Sequence, residues 1–537
     1  MPIKILVTDP ISERGLDLLR AEGWGVEPAA PKDLSAVRQA LAQATAWILR
    51  SGTKVTAELL EAAPQLKVIG RAGVGVDNID LEAATRRGVL VMNTPGGNAV
   101  SVAEHTLALL LALARRVPAA SQSTCAGEWR KSDFQGYEVK SKTLGLVGFG
   151  RVGQEVARRA RAFEMEVVAY DPFVAAPLAR DLGVELVALD ALLARADFIS
   201  LHATLTPETQ GLLNRERLAR TKRGVRVINT ARGELVDEAA LAEVLASGQV
   251  AGAALDVFAH EPPKNSPLLN HPNVIATPHI GGSTAEAQEE VGWRIAQQVR
   301  DFLKDGVVRN AVNLPGISAE EYRRLRPWLD LGERLGAFAA QVAGTAGRIS
   351  VRYAGEVGEL NTQLLRNSVL KGLLRFVVSE PANLVNAATL AAERGLTLEE
   401  THVRRSGGFP DTLGVTLHSN GAQFSLEATV VHASPRILAV DDINVEAPLG
   451  GTLIFLRNRD VPGVIGHIGT ILGARNINIA TFALGRREQS GSAGSVGPGG
   501  GAEAVALVQV DNAVPEAVLA ALRGIPGVTL ARLIQLN

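Results

Sequence analysis

Apolar and polar positions alternate along the first part of the chain in a way that defines its plan. Short apolar runs, IKILVTD, AWILR, LKVIG and VLVMN, are separated by amphipathic stretches, SERGLDLLRAEG, ELLEAAP and LEAATRRG. Runs that are apolar on both faces, each followed by a helical stretch, predict a parallel sheet with crossover helices. After TPGGN, the segment AVSVAEHTLALLLALARRV is apolar on more than one side, which predicts a helix sandwiched between two layers and joining two lobes. The alternation then restarts through TLGLVGF, EVVAYD, DFISLHA, VRVINTA, AALDVF and NVIATPH, and predicts a second parallel sheet. AEAQEEVGWRIAQQVRDFLKDG follows as one long amphipathic helix, and NAVNLPGIS reads as a linker.

Residues 318–447 start helical, in PWLDLGERLGAFAAQV and ANLVNAATLAAERG, and finish strand-like, in TLGVTLHS, AQFSLEATVV and RILAVD. They predict an α+β domain. Residues 451–537 run strand, helix, strand, strand, helix, strand, the split β-α-β-β-α-β plan of a ferredoxin-like domain. Between its central strands lies GRREQSGSAGSVGPGGGAE, expected to be a flexible hairpin tip. The fold class is therefore α/β: two doubly wound lobes, Rossmann-like or flavodoxin-like, followed by an α+β domain and a ferredoxin-like one.

Composition narrows the ligands. The 537 residues suffice for three or four domains, and 55 Lys and Arg balance 56 Asp and Glu. No large charge draws this chain to nucleic acid or anionic lipid, so small molecules are the expected partners. The single cysteine, Cys125, cannot form an internal disulfide and fits a reducing compartment. MPIKILVTDP lacks the features of a signal peptide, and the longest apolar run, Leu107 to Ala114, is far below the ~20 residues that span a bilayer. A cytoplasmic protein without a membrane segment is expected.

The segment LGLVGFGRVGQEVARRA places Gly148, Gly150 and Gly153 between a strand and a helix that opens at Arg151. In a dinucleotide site these glycines allow a tight turn, close approach of the backbone to a pyrophosphate, and close packing of helix on strand. Asp171 ends the next strand, where a carboxylate accepts from the adenosine ribose hydroxyls and repels a 2′-phosphate. NAD is the expected cofactor, and no metal is expected.

INTARGELVDE, ALDVFAHEPP and IATPHIGGST each end a strand of the second sheet, so Arg232, Asp256, Glu261 and His279 are expected to converge beyond the carboxyl edge. Oxidising a secondary alcohol requires a base for the hydroxyl proton and a cation for the polarised oxygen and its neighbouring carboxylate. His279 suits the first role, Glu261 would hold its tautomer, and Arg232 suits the second.

GRAGVGVDNID, NTPGGN, GLVGFGRVGQ, NTARGELVDE, AALDVFAHEPP and TPHIGGST together resemble the D-isomer-specific 2-hydroxyacid dehydrogenases, and the whole chain resembles the family's long form with intervening and ACT domains. The resemblance implies a discontinuous substrate domain, 1–97 plus 283–315, an NAD domain, 98–282, an intervening domain, 318–447, and a regulatory ACT domain, 451–537. It assigns Arg232, Glu261 and His279 to substrate binding and acid–base chemistry. Cofactor contacts would fall on Gly148, Gly150, Arg151, Val152, Gly153, Asp171, Thr230, Ala231, Asp256, Gly281 and Gly282. It also implies Arg50, Ser51 and Lys54 at a substrate phosphate, Gly73, Val74 and Gly75 near a carboxylate, and Arg130 and Lys131 reaching a neighbouring subunit's site. Many relatives carry GTG where this chain has Gly73-Val74-Gly75. In the ACT domain, Asn458, Asp460 and Asn478 would meet an L-serine effector. The implied reaction is NAD-dependent oxidation of 3-phospho-D-glycerate to 3-phosphohydroxypyruvate, the first step of serine synthesis, in a homodimer or homotetramer. Two other readings stay open: a relative acting on glyoxylate, glycerate or another D-2-hydroxy acid, and an NAD-sensing interaction protein.

Overall fold

The buried apolar runs near the N-terminus become strands β1 (Lys4–Val7), β3 (Ala46–Leu49), β4 (Val68–Arg71) and β5 (Leu90–Met92), with β2 (Gly25–Pro28) added at the edge. In this computed structural model the described residues are 2–536, apart from 31, 265, 345–346, 378–380, 405–407, 420–421 and 488–501. The first sheet has the order β2-β1-β3-β4-β5, all parallel, the flavodoxin-like winding. The predicted long helix, Ala285–Asp305, is capped by the Thr284 hydroxyl and ended by Gly306 at φ 72°. It returns to this sheet: a methyl at Gly70 would stand 2.8 Å from both Ile295 and Val299, so β4 has glycine where the helix crosses. Ser12 Oγ donates to Glu289 at 2.6 Å across the same contact.

The second sheet holds seven strands: β6 (Thr143–Val147), β7 (Glu166–Tyr170), β8 (Glu185–Leu186), β9 (Phe198–Leu201), β10 (Val225–Asn229), β11 (Val250–Leu255) and β12 (Val274–Ala276). Their order, β12-β11-β10-β9-β6-β7-β8, is all parallel and reverses between β6 and β9, where an open α/β sheet binds its ligand. Helix Ala99–Arg115 links the lobes and buries much of its surface, as its apolar pattern predicts. Two strands escape the sequence reading for physical reasons. β2, GVEP, is a mostly exposed edge with one apolar side chain, and β8 is two residues long.

The third unit is more interleaved than predicted. Its sheet comprises β13 (Arg348–Ala354), β14 (Thr397–Val403), β15 (Thr412–Ser419), β16 (Ala422–Val431), β17 (Ser434–Val440) and β18 (Ile443–Pro448), in the order β14-β13-β15-β16-β17-β18. β14, TLEETHV, is charged and lies on an edge, so no apolar run announced it, and helix Thr362–Leu374 lies between β13 and β14 in the chain. In the last unit, β19 (Gly451–Arg459), β20 (Ile479–Arg486), β21 (Glu503–Val510) and β22 (Val528–Leu536) form an antiparallel sheet, β20-β21-β19-β22, as the split plan requires. Most of the glycine- and serine-rich stretch between β20 and β21 lies outside the described residues. No helix among the described residues is long and apolar enough to cross a membrane.

Candidate active site

Parallel pairing sets Asn229, Leu255 and Ala276 side by side at the carboxyl ends of β10, β11 and β12. The loops leaving that edge carry Arg232, Asp256, Glu261 and His279. Nδ1 of His279 lies 2.8 Å from Oε2 of Glu261, and a backbone N–H of Phe258 donates to the other carboxylate oxygen at 3.2 Å. With Nδ1–H donated to Glu261, Nε2 is the basic nitrogen of the neutral ring. The hydrogen bond and charge of Glu261 hold His279 above the ordinary imidazole value. Burial alone would raise the Glu261 carboxyl, but its bond to His279 prevails and holds it below the usual range.

His279 sits at φ 53°, a left-handed conformation that a side chain seldom adopts. Its N–H donates to the Asp256 carbonyl at 2.9 Å, while Ile280 and Gly281 donate to the Asp256 carboxylate at 2.9 and 2.8 Å. Asp256 is 1% exposed and so serves as a buried clamp on the turn that carries His279.

Arg232 binds across the lobes. Its Nε donates to Asp77 Oδ2 at 3.0 Å, Nη2 lies 2.9 Å from the same oxygen as an ion pair, and Nη1 donates to the Ala231 carbonyl at 2.7 Å. Asn229 shapes this turn by donating to the Arg232 carbonyl at 2.7 Å and accepting from Ala231 N–H at 3.0 Å. Sequence reasoning did not single out Arg71 and Asp77, although both lie in GRAGVGVD. Arg71 is mostly buried beside Gly73, and burial, with repulsion from Arg232, lowers it to about 10. Gly73 sits at φ 152°, which side chains rarely adopt, and a methyl on Gly73 or Gly75 would displace the guanidinium end of Arg71 or Arg232. Val74 is part-exposed, and its carbonyl accepts from Asn93 at 2.6 Å. On the neighbouring loop, Asp9 accepts from Arg50 N–H at 2.8 Å and from the Thr53 hydroxyl at 2.7 Å, which fixes the turn that presents Arg50, Ser51 and Lys54.

The cofactor fingerprint has the geometry its spacing predicts. Gly148 is at φ 97°, and a methyl there would lie 2.6 Å from the His202 carbonyl group. A methyl on Gly153 would strike the Gly148 carbonyl oxygen. Gly150 has no atom within 4 Å of its would-be methyl and caps helix Arg151–Ala162 without a side chain, leaving the helix N–H groups open to a pyrophosphate. Val152 packs into the core beneath, and Asp171 stands at the end of β7, accepting from Phe149 and Phe173 N–H groups. The Arg151 side chain, in contrast, turns back to the Pro95 carbonyl of the first lobe. Thr230 bonds Thr106 at 2.8 Å, and a methyl on Gly282 would press on Asn98. These donors and open surfaces fit NAD.

The remaining candidates do not join this cluster. Arg130 pairs with Glu128 and Asp133 of its own segment, and Lys131 begins a short turn beside it, on an arm where Trp129 is 86% exposed. The ACT residues have separate partners: Asp460 pairs with Arg486 at 2.9 Å, Asn478 donates to Asp511 at 2.6 Å, and buried Asn458 donates to the Arg459 carbonyl. Oδ1 of Asn458 has no partner among the described residues.

Residues 107–281 match the family described as D-isomer specific 2-hydroxyacid dehydrogenase, NAD binding domain. Residues 324–441 match the D-3-phosphoglycerate dehydrogenase intervening domain, and residues 452–527 the ACT domain. The chain is 43% identical to the D-3-phosphoglycerate dehydrogenase of Archaeoglobus fulgidus, over 99% of this chain and 100% of that one. It is 39% identical to the Bacillus subtilis protein of the same name, over 99% of each. Among solved structures it resembles the TT0316 protein of Thermus thermophilus at 40% identity and a TM-score of 0.53, over 58% of this chain and 100% of that one. The D-lactate dehydrogenase of Aquifex aeolicus, complexed with NAD and lactic acid, is 31% identical with a TM-score of 0.51, over 58% of this chain and 100% of that one.

Proposed function

The chain belongs to the D-3-phosphoglycerate dehydrogenases of the D-isomer-specific 2-hydroxyacid dehydrogenase family, and on that premise we propose that it oxidises 3-phospho-D-glycerate to 3-phosphohydroxypyruvate with NAD. The observation that carries this reading is the 2.8 Å His279–Glu261 pair, set on the same sheet edge as Arg232 and as the glycine fingerprint. Nε2 of His279 takes the proton of the substrate hydroxyl, and Glu261 steadies the imidazolium that results. Arg232 engages the carboxylate and the developing carbonyl oxygen. Bound NAD supplies the hydride acceptor. Arg50, Ser51, Lys54 and the half-buried Arg71 face the phosphate end, while the backbone of Gly73, Val74 and Gly75 lines the carboxylate end. Gly148, Gly150, Gly153 and the N-terminus of helix Arg151–Ala162 hold the pyrophosphate, and Asp171 the adenosine ribose.

The test is NADH formation on purified protein with 3-phospho-D-glycerate, D-glycerate and D-lactate. The phosphorylated acid should dominate kcat/KM. Faster turnover of glycerate or lactate would sink the substrate assignment, and no turnover at all would favour an NAD-sensing interaction protein.

The exposed arm carrying Trp129, Arg130, Lys131 and Tyr137 pairs with a second copy, so the working form is a homodimer or homotetramer. Sedimentation equilibrium returning a monomer would contradict this. The ACT domain takes L-serine through Asn458, Asp460 and Asn478, and titration calorimetry without a heat of serine binding would rule that out.

A further inference from the structure

Helix Ala99–Arg115 starts where the first lobe ends and runs beneath the catalytic edge of the second, and its apolar sequence is interrupted by Ser101, His105 and Thr106. Ser101 and His105, four residues apart, are neighbours on the helix, and Thr106 follows about 100° further round. All three bond loops at the catalytic edge. Ser101 Oγ donates to the Gly281 carbonyl at 2.7 Å, in the loop of His279. His105 Nε2 lies 3.2 Å from Asp256 Oδ1 and 3.1 Å from Thr277 Oγ1, joining the loops after β11 and β12. Thr106 donates to the Val102 carbonyl and so accepts, at 2.8 Å, from Thr230, in the loop of Arg232.

The protons around Asp256 fix the tautomer of His105. Thr277 Oγ1 donates its proton to Asp256 Oδ1 at 2.6 Å, so it offers the ring only lone pairs. An unprotonated Nε2 would then face a carboxylate and a hydroxyl oxygen with no hydrogen between them. Nε2 therefore carries the hydrogen and donates it to Asp256. The carboxylate, 1% exposed, thereby takes side-chain donors from His105 and Thr277 and backbone donors from Ile280 and Gly281. The last two belong to the turn that holds His279 at φ 53°.

We infer that His105 is a positioning residue of the active site: it orients Asp256, which in turn holds the His279 turn in its left-handed form, while Ser101 ties the Gly281 end of that turn, and Thr106 the loop of Arg232, to the same helix. The inference rests on the dehydrogenase reading for the role of His279, and on geometry alone for the clamp. Because this helix is also the first stretch of chain to leave the substrate lobe, the clamp ties the base to the element that joins both halves of the cleft.

Three variants separate a donor from mere bulk. In His105→Gln the amide nitrogen reaches the position of Nε2, whereas in His105→Asn it reaches that of Nδ1, and His105→Leu keeps volume without a donor. Hydrogen exchange on ligand-free protein should show the Ile280 and Gly281 amides exchanging about tenfold faster or more in the Leu and Asn variants, and within about threefold of wild type in Gln. With substrate and NAD, kcat should fall about 10- to 100-fold in Leu and Asn, with the substrate KM within about threefold, and recover in Gln. Wild-type exchange in His105→Leu, or a Gln variant as impaired as Leu, would overturn the inference. An inactive wild-type protein would sink the dehydrogenase reading instead, and the exchange measurement would still decide the clamp.

Discussion

Gly148→Ala and Gly150→Ala should fail in different ways, although the two glycines are only two residues apart. At Gly148, φ of 97° costs an L-residue about 1–2 kcal/mol. The added methyl would also lie 2.6 Å from the His202 carbonyl carbon and oxygen and 2.7 Å from the Ala203 nitrogen, all backbone atoms at the end of β9. Overpacking of that kind costs about 1–3 kcal/mol, for a total of about 2–5 kcal/mol. At roughly 2–4 °C per kcal/mol for a domain of this size class, its melting transition should drop by roughly 4–20 °C. At Gly150, φ is −70° and nothing lies within 4 Å, so an alanine leaves stability within about 0.5 kcal/mol. Its methyl instead fills the space in front of the free helix N–H groups, and the Kd for NAD should rise at least about tenfold, or about 1.4 kcal/mol. Scanning calorimetry and NAD titration on the two variants make the comparison. Wild-type NAD affinity in Gly150→Ala, or a wild-type melting temperature in Gly148→Ala, would refute the division of labour.

Three further outcomes follow from the catalytic edge. His279→Ala should lose about 10²–10⁴-fold in kcat while binding NAD normally, and an unchanged kcat would remove His279 as the base. In oxidation the base must be neutral, and Glu261 holds His279 above the ordinary imidazole value, so activity should rise with pH through a limb above that value. Glu261→Gln should move the limb to lower pH, and a limb that stays in place would contradict the pairing. Arg232→Ala should raise the substrate KM about 10²-fold with a smaller effect on kcat, measured in steady state, and the reverse pattern would take the carboxylate away from it.

What the sequence revealed followed from how local each signal was. The fingerprint from Gly148 to Gly153 with Asp171 is confined to one β-α-β unit, so spacing alone exposed it. Arg232, Glu261 and His279 were legible because each follows an apolar strand of the same sheet, and parallel sheets bring such ends together. Arg71, Asp77 and His105 carried no comparable mark: Arg232 meets Asp77 across 155 residues and His105 meets Asp256 across 151, and neither contact leaves a period in the sequence. The fold follows the same rule. Continuous apolar runs such as AWILR became central strands, whereas GVEP and TLEETHV pair at sheet edges with few apolar side chains to betray them. In the ACT domain, residue type alone marks Asn458 and Asp460 at a strand-to-helix turn and Asn478 before β20, and in the fold Asp460, Asn478 and Asn458 bond Arg486, Asp511 and Arg459.

The central claim is that this cleft reads a phosphate as well as a 2-hydroxy acid, and the ratio of kcat/KM for 3-phospho-D-glycerate to that for D-glycerate tests it most directly. Each charge-assisted phosphate contact contributes about 1.5–3 kcal/mol, so two or more should give a ratio of at least about 10² in the wild type. Removing both surface cations in Arg50→Ala/Lys54→Ala should collapse that ratio by at least about 10²-fold, with turnover of D-glycerate unchanged. A wild-type ratio near one, or a double variant that keeps the full preference, would contradict the account.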